Sequence, residues 1–300
     1  MTAAARTAPP VSAIGAAASG VRWEWVMLPS LLVSLALLAV SQFVFLKGSF
    51  LRDLGMGQSG DTFEWHNYAQ LFSDGFYLDT LRRSVGASLA ATALTLALAF
   101  PTAYIIARMK SRWGLALLAA VVVSSFVSIV VKVLGLILIF SANGPFNKLL
   151  LGLGLADQPV TLLGTMTGVV IGLTHYSLGF AVLLFYSVVI TIPRSLEEAA
   201  LGLGASRAGV FRQVVLPLAL PGLLSGALVI FNVSVGGFTS TALIGAGKVL
   251  TVPVVIQRTM LLETNYGMAA ALAALLLVTV LAINLASVAA VSRMRKGVMA

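Results

Sequence analysis

Six apolar runs of membrane-crossing length constrain this chain more than any other feature, because about 18 consecutive apolar residues suit a bilayer span rather than a soluble helix. They cover Val26 to Leu46, Ser84 to Ala107, a run that starts near Trp113 and passes Lys132, Leu163 to Ile190, Leu220 to Leu243, and Gly267 to Val291. Hydrophobic residues make up 59% of the 300, charged residues 10%, and mean hydropathy is +1.01. No soluble domain of this length has that balance. Backbone polar groups in lipid must be satisfied within their own segment, so the fold class is all-α and polytopic. Trp23 and Trp25 suit an interfacial belt before the first span, and Pro101 predicts a kink in the second. Leu149 to Leu155 is too short to cross and reads as an interfacial helix after the Asn143-Gly144-Pro145 turn.

Lysine and arginine set the orientation. Arg108, Lys110 and Arg112 share one hairpin, Arg194, Arg207 and Arg212 another, and Arg293, Arg295 and Lys296 the C-terminus. With six spans these segments and the N-terminus lie on one side, predicted to be cytoplasmic. Asp53, Asp61, Glu64, Asp74, Asp79, Asp157 and Glu263 fall opposite, and Arg82 and Arg83 are expected to snorkel to outer headgroups. The A-x-A-like triplets of the N-terminal tail precede the first run, whereas a signal-peptidase site follows one, so that run stays as a span. A net charge of +9 with no basic stripe points to anionic lipid headgroups and not to nucleic acid. With no cysteine there are no disulfides and no cysteine metal sites.

Between the fourth and fifth spans stands Glu198-Ala199-Ala200-Leu201-Gly202-Leu203-Gly204, followed by Val214-Val215-Leu216-Pro217. Ser195 and Glu198 form an S-x-x-E pattern, predicting a capping box at the start of a short helix just past Pro193. Leu196, Ala199, Ala200 and Leu203 recur at helical spacing as a small apolar face that suits a partner's groove. Gly202 and Gly204 end that helix and permit a tight reversal. A second helix is expected through Phe211, Val214 and Val215, stopping at Leu216-Pro217.

The spacing E-A-A-x3-G-x9-[IV]-x-L-P, with every anchor present, resembles the cytoplasmic loop of permease subunits of binding-protein-dependent ABC importers, the type-1 inner-membrane component. Other runs are similar to spermidine/putrescine-type permeases. They are Phe63-Glu64-Trp65-His66-Asn67-Tyr68, Phe76-Tyr77-Leu78, Pro101-Thr102-Ala103-Tyr104, and Gly144-Pro145-Phe146-Asn147. Lys132 stands where many members carry Arg, and Phe238 to Gly245 resembles an F-x-x-P-x-L-L-G run with Thr241 in place of the proline. The resemblance implies that Glu197, Glu198, Ala199, Ala200, Gly204, Ala205, Phe211, Leu216 and Pro217 couple this chain to a separate ATPase. The implied partners are ABC ATPase subunits, a second permease forming a hetero-dimer, an extracytoplasmic solute-binding protein, and the bilayer. It divides the chain into a disordered cytoplasmic tail (1–22), the first span with its extracytoplasmic loop (23–80), the type-1 permease core (81–292) and a basic cytoplasmic C-terminus (293–300). The expected location is a bacterial or archaeal inner membrane.

No G-x-x-x-x-G-K-[ST] phosphate loop is present, so ATP and Mg are expected to be used by the partner, with no cofactor or metal bound here and no bond chemistry catalysed. Candidate pathway residues are Ser125, Ser128, Lys132, Thr174, His175, Tyr176, Asn232, Ser234 and Thr239. For each a structural reading stands beside the functional one: hydroxyls satisfy helix backbones, Asn232 serves as interhelical glue, and Lys132 snorkels to a membrane edge. The six runs contain no Asp or Glu, and the acid that some polyamine-type members carry around Gly236 or Gly237 is missing here. The solute therefore stays open between a polyamine and a phosphonate, an oxyanion, ferric iron or thiamine. A secondary transporter would need intramembrane carboxylates or discontinuous helices around a coupling ion.

Overall fold

The computed structural model describes residues 23–55 and 58–298, so the tail expected over 1–22 lies outside the described residues. Contacts divide the chain into two units, 1–48 and 49–300. The first contributes almost all of α1 (Trp23–Ser49), a helix apolar around its whole circumference that carries Pro29 inside it. The second begins with something the all-helical expectation missed, a hairpin of β1 (Leu51–Gly55) and β2 (Gln58–Phe63). Its register is anchored from α2 (His66–Ser73), where buried Asn67 donates through Nδ2 to the carbonyls of Ser49 and Leu51, both at 2.9 Å. A polar, glycine-containing strand pair outside the apolar runs gives no hydropathy signal, which is why the spans were legible and the hairpin was not.

The bundle follows. Helix α3 (Gly75–Arg108) starts nine residues before the expected span and continues through Pro101. Asp74 caps it, its side chain accepting from the amide of Phe76 at 2.9 Å. Asp79 therefore lies on this helix, in its first turns, paired with Arg83 at 2.6 Å. The third span is broken into α4 (Arg112–Phe126) and α5 (Ile129–Phe140), and α6 (Pro145–Gly152) follows the tight turn at Gly144. A Cβ on Gly144 would sit 2.4 Å from the carbonyl oxygen of Ile139, so the turn requires glycine. Buried Asn147 holds this corner, donating to Ser141 at 2.9 Å while its Oδ1 accepts from the amide of Val160 at 2.7 Å.

Helix α7 (Met166–Ile190) is capped by Thr165 and leads into the short α8 (Arg194–Gly202) and α9 (Arg207–Val210). A π turn over Phe211–Val215 joins α9 to α10 (Leu216–Val235). The expected stop at Leu216-Pro217 is thus not a stop. Pro217 falls in the first turn of α10, where its missing N–H costs least, and the amide of Leu216 reaches Phe211 across the wider π turn. The fifth span ends early instead, at Gly236-Gly237, before α11 (Phe238–Gly245), α12 (Val252–Leu261) and α13 (Tyr266–Val298). Among the described residues, six helical stretches are long and apolar enough to cross a membrane: Met27–Ser49, Gly75–Arg108, Ile129–Gly152, Met166–Ile190, Arg207–Val235 and Tyr266–Ala289.

The main core lies between α3, α7 and α10. Ala99, Ala103, Ala181, Phe185 and Val189 are almost wholly buried there with Val215, Ala219 and Ile230. Glycines allow the close approach. A Cβ on Gly226 would fall 2.5 Å from the Phe185 ring, and one on Gly222 2.6 Å from a Val188 methyl. A second cluster packs α2, α12 and α13 around Leu71, Val255, Met268 and Leu272.

Candidate functional site

Helices α3 and α7 run parallel and finish at the same end of the bundle, where the loop helix α8 is fastened across both. Arg108, the last residue of α3, donates from Nη2 to the carbonyl of Ile192 at 2.9 Å, and Arg194 at the start of α8 donates to the carbonyl of Ala107 at 2.9 Å. Each arginine thereby satisfies a carbonyl left open at the neighbouring helix end. Between them sits Glu197. Its Oε1 accepts from Nε of Arg108 at 2.7 Å and lies 2.6 Å from Nη2, while Oε2 accepts from the Tyr104 hydroxyl at 2.9 Å. The Glu197 side chain is 11% exposed and three of its contacts are short and charge-assisted or hydroxyl-mediated. Tyr104 in turn stacks edge-on against Phe211, whose ring also meets Phe100.

This arrangement corrects one expectation and decides another point the sequence left open. The helix begins at Arg194 with Pro193 as its cap residue and no side-chain cap, so the Ser195–Glu198 capping box does not form. Ser195 is already helical, and the arginine–carbonyl exchange fixes the helix start from outside. Of the two acids grouped with the coupling residues, Glu197 is turned inward onto Arg108, which leaves Glu198 as the exposed one of the pair.

The reversal is built as expected around Gly204, which adopts φ +87. The amide of Ala205 returns to the carbonyl of Ala200 at 3.1 Å and that of Gly204 to Leu201 at 3.0 Å, a Schellman end. Ser206 caps the next helix, accepting from Gly209 at 3.1 Å. Ala200 and Ala205 pack on the core, whereas Ala199, Leu201 and Leu196 are exposed and Leu203 is 90% so. Leu216 and Pro217 are exposed on the first turn of α10.

The pathway candidates divide. Ser125, Lys132 and Tyr176 come together with Ser177, Phe180 and Val233 around a recess of about 270 Å³ beside the middle of α7. Lys132, in the first turn of α5, therefore faces the middle of α7. Asn232, next to Val233, is instead bonded across to Asn284 of α13 at 3.0 Å, the interhelical glue of the structural reading. Ser128 stands exposed at the break between α4 and α5, His175 is exposed on α7, and Thr239 lies on α11 outside the recess. Thr174 bonds the carbonyl of Val170, and the buried Ser234 hydroxyl has no hydrogen-bond partner among the described residues. Thr241, standing where the resembling run has proline, donates to the carbonyl of Gly237 at 2.7 Å, a bond proline has no hydrogen to make.

Sequence reasoning missed Ser177, whose hydroxyl pairs with buried Thr95 at 3.0 Å, and the polar seam that Thr95 extends. Thr80, Ser84, Ser88 and Thr92 each bond the carbonyl four residues back, and the Ser84 hydroxyl also accepts from the amide of Val252 at 2.7 Å. Their i, i+4 spacing was the available signal.

Apolar membrane-length helices around a small recess, with a short exposed helix bolted to one end, belong to the class of transport subunits and not of soluble binding modules. The chain belongs to the family described as binding-protein-dependent transport system inner membrane component, which it matches over residues 99–296, and so is a multi-pass inner-membrane permease subunit of an ABC importer. It is 33% identical over 195 residues to the spermidine/putrescine transport system permease protein PotB of Salmonella typhimurium, covering 65% of this chain and 68% of that one. The Haemophilus influenzae PotB is 29% identical over 244 residues, 81% and 82% of the two chains. In fold, the chain resembles a subunit of a bacterial alginate ABC transporter crystallised with an alginate-bound periplasmic protein. There the TM-score is 0.70 at 20% identity over 89% of this chain and 93% of the other. A chain of the inward-facing MetNI methionine ABC transporter gives 0.53 at 22%, over 73% and 98%.

Proposed function

We propose that this subunit moves a small charged solute, a polyamine as in its relatives' names or a related phosphonate, oxyanion, ferric iron or thiamine, into the cytoplasm by ATP-driven alternating access. It acts with a second permease, two ATPase subunits and an extracytoplasmic binding protein. The observation that carries the reading is α8. A nine-residue helix, gripped from inside by Arg108, presents Leu196 and, at its C-cap, the 90% exposed Leu203 on one outward face beside an acid, Glu198. An apolar helix face of this kind fits a hydrophobic groove. In this reading closure of the ATPase pair draws the two α8 helices together and the spans rock to open outward. The α8 end of the bundle then faces the cytoplasm. The shallow, mostly apolar recess at Lys132 is consistent with recognition made chiefly by the binding protein.

Reconstitution tests this. Proteoliposomes holding this chain alone are expected to take up nothing under an imposed ion gradient. Adding the second permease, the ATPase and the loaded binding protein should give uptake that requires ATP and survives a protonophore. Gradient-driven uptake by the isolated chain would overturn the proposal in favour of a secondary transporter.

A further inference from the structure

We propose that Glu197, Arg108 and Tyr104 form the joint that carries motion of α8 into the bundle, and that α3 is the span that receives it. This rests on the reading of α8 as the ATPase-docking helix and adds the route by which its displacement reaches the membrane. A helix of nine residues on the end of a loop transmits force only if it is tied to something stiff. The covalent path from α8 leads back only to α7, through the Thr191–Pro193 link. The side-chain path reaches α3 directly. Glu197 holds Arg108 by two contacts from one guanidinium edge and takes a third from Tyr104, one helical turn earlier on the same helix. Both α3 groups are thus gripped by one largely buried carboxylate, where water competes little for them.

The arginines reinforce the same joint in both directions, since Arg108 reaches back to Ile192 and Arg194 reaches forward to Ala107. Below the carboxylate, Tyr104 and Phe100 of α3 stack on Phe211 of the π turn, so the second half of the loop bears on α3 too. Helix α3 is 34 residues long and extends to the opposite end of the bundle, where the Ser84 hydroxyl holds the amide of Val252 at the start of α12. A displacement entering at Arg108 therefore has one unbroken helix on which to travel, passing through Pro101. Glu197 is a positioning residue in this scheme and meets neither solute nor nucleotide.

Paired spin labels on a chain with no native cysteine test it directly, using S195C on α8 and I105C on α3, both exposed positions, in the full transporter in lipid. The label distance is expected to stay unchanged between nucleotide-free and ATP-bound states. In Glu197→Gln, which keeps the side-chain shape, it should broaden and shift with ATP, and solute imported per ATP hydrolysed should fall several-fold while the ATPase still co-purifies. Exchanging the partners (R108E with E197R) should recover part of that ratio. A wild-type distance that changes with ATP overturns the joint without touching any variant's folding. So does an unchanged import-to-hydrolysis ratio in Glu197→Gln. Absence of ATP-dependent uptake in the unmodified transporter instead removes the docking reading on which the joint depends.

Discussion

Lys132 shows how little a single residue's type settles. From the first turn of α5 its side chain lines a recess of about 270 Å³ with Ser125, Tyr176 and Phe180, and no carboxylate is among the lining residues. An intramembrane cation in such a place is costly and marks a functional surface. A polycation passing it would be repelled; an anionic or zwitterionic group would be held. Lys132→Glu is expected to depress uptake of anionic or zwitterionic solutes on the order of tenfold, the effect of roughly 1.4 kcal/mol, and to leave or raise uptake of cationic ones. Competition uptake assays with solutes of both signs check this, and a loss that ignores solute charge would take Lys132 out of the pathway.

Elements are held together here by absences of side chain as much as by side chains. The face of α10 that meets α7 carries Gly222 and Gly226, four apart, with Val188 and Phe185 occupying the space a Cβ would need. In lipid the association of helices depends on such close packing, because burial from water does not drive it. Gly226→Val is expected to force the two helices apart at a cost of about 1–3 kcal/mol, read as a lower thermal midpoint in detergent. Gly236→Ala serves as its contrast, since a Cβ there meets nothing nearer than 3.6 Å, and its midpoint should stay near that of the unmodified chain. Equal losses in the two variants would show that the α7–α10 seam is not what the glycines protect. The π turn at Phe211–Val215 is the other device at this scale, letting a helix pass through Pro217 where the sequence pattern reads as an end.

For the whole molecule the testable matter is sidedness. The Arg108–Arg112 hairpin and α8 with Arg194 meet at one end of the bundle, because Arg108 and Arg194 each bond the other's neighbouring carbonyl. Positive charge in short loops stays on the cytoplasmic side. A reporter fused after Arg112 is expected to read cytoplasm and one near Asp157 the outside, and reversal at either site would move α8 away from the compartment that holds ATP. The amino-acid sequence alone determined the class of fold, the number of spans and the grouping of positive loops, because transfer of side chains into lipid is close to additive along a segment and needs no knowledge of neighbours. It also placed the first helix of the loop and the reversal after it, whose glycine requirement is local, but not the segment beyond, which passes through a π turn into α10. Tertiary structure alone decided which of two adjacent acids turns inward, since Glu197 is drawn by Arg108 and Tyr104 from about ninety positions away in the chain, leaving Glu198 outside. It decided likewise that Lys132 faces a recess and that Asn232 is spent on Asn284, because an interaction between distant segments has no signature in either segment read by itself.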